Sequence, residues 1–196
     1  MRSASSQEAV LSALSGENTN ITEYLVDEVL TQQLPVIQAF LLKTSILDRF
    51  CAGLCEAVVG EMDPAWNARL CLDWIERSEM FIMPLDERRE WYRYHHLFQE
   101  LLQKRLTAEI RADMVEDLHL RASAWLDEHG LTDEALRHTL AAGDFDQAAR
   151  QIGAGLCEII NLEDRPAMER RLGLVPEAVI QRHPELLMLR AWVLEF

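Results

Sequence analysis

Phosphate-binding loops are missing from this sequence: it contains neither GxxxxGK followed by Ser or Thr nor GxGxxG. HExxH and GxSxG are absent too, which removes the common metalloprotease and serine-hydrolase signatures, so no catalytic residue is expected in the chain. Positive charge is scarce, with 19 Lys and Arg against 33 Asp and Glu and a net charge of −14. Such a surface repels phosphate, so neither nucleic acid nor an anionic membrane is expected as a partner of this segment. Apolar runs are broken by charges well before the ~20 residues that a bilayer-spanning helix needs. Met1 to Val10 lacks a signal-peptide core, and the expected location is the cytoplasm.

Cysteine is sparse, and Cys51, Cys55, Cys71 and Cys157 form no CxxC pair. Cys51 and Cys55 share one helix face at i,i+4, where two thiols can hold a metal, but small core residues explain the spacing as well. All four are read as reduced thiols. His95 and His96 are adjacent, and successive strand residues point to opposite faces. No metal site is therefore assigned.

What remains is helical periodicity. Ile21, Tyr24, Leu25 and Val29 follow Asn20, a capping residue with Glu23 at its N3 position. Pro35 suits a first turn, and Val36, Ile37, Phe40 and Leu41 supply an apolar stripe behind it. A short helix from about Cys51 to Val59 should end at Gly60, and Asp63-Pro64 should open another running to about Ser78. Met80 to Leu85 and Trp91, Tyr92 and Tyr94 are two β-prone runs around a charged turn, which predicts a hairpin. Leu97, Phe98, Leu101, Leu102 and Leu106 then resume helical spacing. Helices, a hairpin and a closing helix outline a winged-helix domain over residues 17 to 106.

Residues 107 to 196 are expected to be helical hairpins. Met114, Leu118, Ala122, Trp125 and Leu126 make one stripe, with Trp125 as its buried anchor and Gly130 as its stop. Ala135, Leu136 and Leu140 precede Gly143, and Phe145, Ala148, Ala149, Ile152 and Leu156 follow it. Gly130 to Leu136 and Gly143 to Ala149 echo each other, with Thr132 and Asp144 as cap candidates. The predicted fold class is mainly α: a winged helix with one β-hairpin, then a tetratricopeptide-like array that is truncated at Phe196.

Tyr92-Arg93-Tyr94-His95-His96-Leu97-Phe98 resembles the YRYHxLF signature closing the winged helix of MalT-like STAND ATPases. Tyr24-Leu25-Val26-Asp27-Glu28-Val29-Leu30 is similar to that family's DYLxEEVL. Phe40-Leu41-Leu42-Lys43-Thr44-Ser45-Ile46-Leu47 is similar to its FLLxTSIL. Leu54 to Gly60 resembles LCxAxxG, and Leu140 to Asp144 resembles ALAAGD. The resemblance implies a longer LuxR-type transcription regulator switched by ATP and ADP. Residues 1 to 16 would then be the tail of an ATPase lid. An upstream ATPase module and a downstream DNA-binding domain would be partners within one chain, and an inducer or protein of unknown identity would bind the arm. The chain itself would hold no cofactor.

The resemblance also singles out His95. In relatives of these ATPases a Met-His-Asp motif opens the last winged-helix helix, and its histidine contacts bound ADP. Tyr94-His95-His96 is similar, with His95 in the histidine's place and His96 replacing the aspartate. His95 is thus implied as a contact to an ADP phosphate, against the plainer role of packing and capping at a strand end. Arg93 is expected to face solvent. A DNA-reading role is not expected, because Asp63, Asp73, Glu76 and Glu79 outnumber Arg69 and Arg77 on the helix before the hairpin. The alternative overall reading is a free-standing helical-repeat module that recruits another protein.

Overall fold

A computed structural model describes residues 30–61, 66–78, 81–154 and 165–195. The chain divides into two compact units, Met1–Leu118 and His119–Phe196. The expected lid tail at 1–16 and the cap at Asn20 lie outside the described residues.

The first unit contains α1 (Pro35–Thr44), α2 (Ala52–Val59), α3 (Ala68–Arg77), β1 (Ile82–Pro84), β2 (Tyr92–Tyr94) and α4 (His96–Glu109). Pro35 sits in the first turn of α1, where its missing N–H costs nothing. Gly60 ends α2 at φ 74°, a left-handed conformation that glycine adopts freely. The start of α3 differs from expectation. Asn67 caps it by accepting the Leu70 N–H at 2.9 Å, while Asp63 and Pro64 lie outside the described residues. β1 and β2 pair antiparallel in the register Ile82 with Tyr94 and Pro84 with Tyr92. Phe50 adds a bridge to this hairpin, exchanging both backbone hydrogen bonds with Tyr92 at 2.8 Å.

The core of this unit collects Ile37, Phe40 and Leu41 of α1, Leu54 and Val58 of α2, Leu72 and Ile75 of α3, and Phe98, Leu102 and Leu106 of α4. This is the mainly helical, single-hairpin outline that the periodicity predicts.

The second unit begins within α5 (Ala112–Glu128) and continues through α6 (Thr132–Ala141), α7 (Phe145–Ala154), α8 (Arg165–Leu172), α9 (Glu177–Ile180) and α10 (Pro184–Glu195). The two echoing turns are built alike. Gly130 and Gly143 take φ 73° and 74°, and the next N–H reaches back to a helix carbonyl, Leu131 to Leu126 and Asp144 to Thr139. Asp144 caps α7 through the Gln147 N–H at 2.9 Å. Thr132 does not cap α6; Leu131 holds that position and Thr132 is already helical. Leu136, Ala149, Ile152, Met168, Val179, Leu186 and Leu189 share one apolar cluster.

Trp125 departs from expectation as well. The buried arc of α5 runs through Leu118, Ala122 and Leu126 and on to Ser123. Trp125 falls at its edge, half-buried, with its ring stacked on His129 at 3.7 Å. Met114 is exposed. Among the described residues no helix is long and apolar enough to cross a membrane.

Candidate functional site

The junction between β2 and α4 is where the winged helix brings its most informative residues together. Along β2, Tyr92 and Tyr94 are buried and Arg93 between them is exposed, as alternation along a strand requires. The Tyr94 ring lies between Phe50 at 4.6 Å and Phe98 at 5.9 Å, and Phe98 in turn meets Phe81 at 5.1 Å. Aromatic rings at such separations attract one another beyond the area they bury.

The Tyr94 hydroxyl is 2.7 Å from Thr44 Oγ1, which itself donates to the Phe40 carbonyl at 2.7 Å. The threonine proton is committed there, so Tyr94 is the donor. Burial pushes the Tyr94 hydroxyl far above its ordinary range, and the proton stays. Two glutamines of α4 complete the fastening. Gln99 donates to the Ser45 and Leu47 carbonyls, and Gln103 to that of Ser45, all at 2.9 Å. These bonds satisfy backbone carbonyls of the turn that follows α1. Thus Thr44, Ser45 and Leu47 hold the wing and the closing helix to α1.

The wing's tip is ordered by Asp86, which accepts the N–H groups of Glu90 at 3.1 Å and Trp91 at 2.8 Å. These bonds hold its carboxyl below the usual carboxylate range. Glu76 of α3 ties the wing down, pairing with Arg89 and accepting from the Tyr92 hydroxyl at 3.3 Å. Glu76 and Asp73, the latter 3.1 Å from Arg69, are therefore occupied within the unit. The outward face of α3 carries exposed Leu70 and Trp74, with Trp66 edge-on to Trp74 at 6.0 Å.

His95 stands at the turn from strand to helix. Its N–H donates to the Phe81 carbonyl at 2.7 Å, extending the hairpin ladder by one bond. It occupies the N-cap position of α4, yet its side chain makes no capping bond. The ring is half-buried, and its Nδ1 is fully buried with no partner. Burial first, then His96 and Arg93, lower its basicity and favour the neutral ring. His96 faces it at 4.5 Å with a 32° tilt. The capping role weighed for His95 is thus filled by backbone position alone.

The thiols are placed as core groups. Cys55 and Cys71 are buried and Cys51 half-buried, all free; Cys157 lies outside the described residues. Burial raises the Cys55 thiol well above its ordinary range and Cys71 to about 11, which leaves them poor nucleophiles. Among the described residues no group of three or more His, Cys, Asp or Glu side chains is placed to hold a metal ion.

Sequence reasoning singled out His95 and its strand but passed over Phe50, Asp86, Gln99 and Gln103. The glutamines carried a weak signal: they are an i,i+4 pair of uncharged polar residues on one face of the helix.

The family described as the MalT winged helix domain matches residues 26–114, which include the hairpin, the Phe50 bridge and all of α4. The HTH-type transcriptional regulator MalT of Klebsiella pneumoniae (strain 342) is 32% identical over 183 residues, covering 93% of this chain and 20% of that protein. The chain thus spans about one fifth of the length of the curated relative it matches. That relationship is to a regulatory protein, and it extends through both units. By sequence, the segment 26–114 matches the MalT winged helix domain family, and its helices with a single antiparallel hairpin agree with that match.

Proposed function

We propose that this chain is the regulatory middle of a LuxR-type transcription regulator switched between ATP and ADP. The winged helix locks a neighbouring ATPase module, and a tetratricopeptide-like arm relays binding of an inducer or partner protein. The observation that carries this reading is the unpartnered, half-buried ring of His95 at a rigid strand-to-helix corner.

An unpaired buried N–H costs more than an unpaired lone pair, so Nδ1 keeps its lone pair and Nε2 carries the proton. His95 can therefore donate one hydrogen bond outward. Bound ADP would supply phosphate oxygens as acceptors for it. Tyr94, fixed by Phe50, Phe98 and Thr44, holds the backbone that aims the ring. A bond made only when the winged helix is folded back makes ADP and the closed state favour each other.

The test is His95→Ala in the longer protein that carries the ATPase module. A hydrogen bond to a charged group contributes about 1.5–3 kcal/mol. ADP should accordingly bind roughly 10- to 150-fold more weakly, ATP hardly differently, and transcription without inducer should rise. Unchanged ADP affinity with a lowered melting temperature would make His95 a purely structural residue.

The 196-residue chain alone is also expected not to retard duplex DNA at physiological salt. Its net charge is −14, and on α3 each acidic residue is engaged by an arginine of the same unit. A labelled duplex that shifts, with an affinity falling steeply as salt is added, would contradict this.

A further inference from the structure

In the second unit α5 and α6 meet through a seam of polar side chains. His119 of α5 and His138 of α6 point Nδ1 at Nδ1, 2.8 Å apart. Their ring centroids are 5.1 Å apart with a 40° tilt. That separation is the nitrogen gap plus two ring radii, so the rings meet head-on along both nitrogen axes. Such an arrangement leaves no room for an ion between them. It holds one proton, donated by one ring and accepted by the other.

The rest of the seam is already committed. Thr139 Oγ1 donates to the Ala135 carbonyl at 3.1 Å, so Ser123 Oγ, 2.6 Å from it, is the donor to Thr139. Ser123 in turn accepts from Gln151 Nε2 of α7 at 3.0 Å. Both hydroxyl protons are thus spent within the seam, so neither Ser123 nor Thr139 can donate to the histidines, while the Gln151 Oε1 is buried without a partner. The charged groups acting on the pair are Arg137 and Glu134, both of α6; Ser123 of α5 and Gln151 of α7 do not titrate.

We propose that His119 and His138 are a proton-operated latch between α5 and α6, closed while one proton is shared between their Nδ1 atoms and open when each Nδ1 carries its own. The proton count makes this concrete. Two neutral rings carry one proton on the shared axis and one on an Nε2. A third proton enters at the donor ring's remaining nitrogen and leaves the shared bond in place. A fourth has only the accepting Nδ1 to go to, and it sets N–H against N–H.

Burial opposes both uptakes. It lowers the basicity of His119, and with His119 and Arg137 it brings His138 down from 6.5 to about 4, against a smaller pull from Glu134. Rings released to solvent take up protons near the ordinary value, so between about pH 6.5 and 4 the open form binds more protons. Opening is then favoured as pH falls. His183, in the same unit, behaves oppositely. It lies 3.2 Å from Asp146 and 3.0 Å from Glu185, which raise its basicity, so acid strengthens its contacts.

The experiment uses the intact chain. Ring-nitrogen NMR at neutral pH should show one protonated and one unprotonated Nδ1 coupled across a shared bond. Hydrogen exchange of α6 amides, corrected for intrinsic rates, should lose roughly 20-fold protection from pH 7 to 5, the linkage expected for a shift of this size. Amides of α1 to α4 should not follow. Replacing both rings with apolar side chains, His119→Leu with His138→Met, should flatten the α6 response. Constant α6 protection, two rings titrating independently near their ordinary value, or acid loss that persists in the double variant would each overturn the latch. If the double variant fails to fold, the ring-nitrogen spectrum of the parent chain decides alone.

Discussion

Replacing Phe50 with Ala is expected to destabilise the first unit by about 3–5 kcal/mol, the usual cost of removing a large buried aromatic. Phe50 is fully buried, and its ring stacks on Tyr92 at 6.3 Å and meets Tyr94 at 4.6 Å. Its backbone also completes the hairpin by pairing with Tyr92. The substitution keeps that backbone pairing but opens a cavity beside both tyrosines. Neighbouring atoms refill such a space only in part, since the core is already close-packed. Phe50→Leu, which preserves most of the volume, should cost less than about 1.5 kcal/mol. Urea unfolding of the two variants measures the difference. A loss below about 1 kcal/mol for Phe50→Ala would mean that the wing is held chiefly by its own turn and by Glu76.

Phe50 also marks the limit of what periodicity can reveal. Asp48, Arg49 and Phe50 lie between two helices in a stretch with no repeat of 2 or 3.6 residues. A single-residue bridge leaves no pattern, because its partner lies 42 positions away. The elements that were legible carry their signals locally: Pro35 at a helix start, Gly60 at an end, and two β-prone runs flanking a charged turn. Asp86 was part of that turn, but its role depends on backbone N–H groups converging on one carboxylate, which composition does not encode. The start of α3 shows the same limit. Asp63-Pro64 and Asn67 are both acceptable openings, and the cap seen is the one whose side chain reaches the Leu70 N–H.

His95 was legible only through its resemblance to a known motif. The spacing of residues predicts a histidine at a strand end and no more. Its buried, unpartnered nitrogen depends on how the folded chain covers the ring beside His96, which residue spacing does not encode. The histidine pair of the second unit was not anticipated for a related reason. His119 and His138 lie 19 positions apart, and only the Gly130 turn brings α6 back along α5.

Leu126→Ala is expected to destabilise the second unit by about 2–5 kcal/mol, and Trp125→Ala by only about 0.5–1.5 kcal/mol. The larger side chain gives the smaller effect because of helix phase. Leu118, Ala122 and Leu126 recur every four residues, so each successive member drifts around the helix toward the side that Ser123 occupies. Trp125, three residues after Ala122, is left on the trailing edge. Leu126 is almost fully buried, and its carbonyl also receives the Leu131 N–H that closes the Gly130 turn. Trp125 keeps solvent on one side and stacks on exposed His129, so its removal forfeits an aromatic pair and part of a buried surface. Circular dichroism during urea unfolding separates the two variants without using tryptophan as the probe. If Trp125→Ala proves the more damaging, the buried arc of α5 runs through Trp125 as its sequence stripe suggests. The seam at His119 and Ser123 would then be rotated out of the α6 interface.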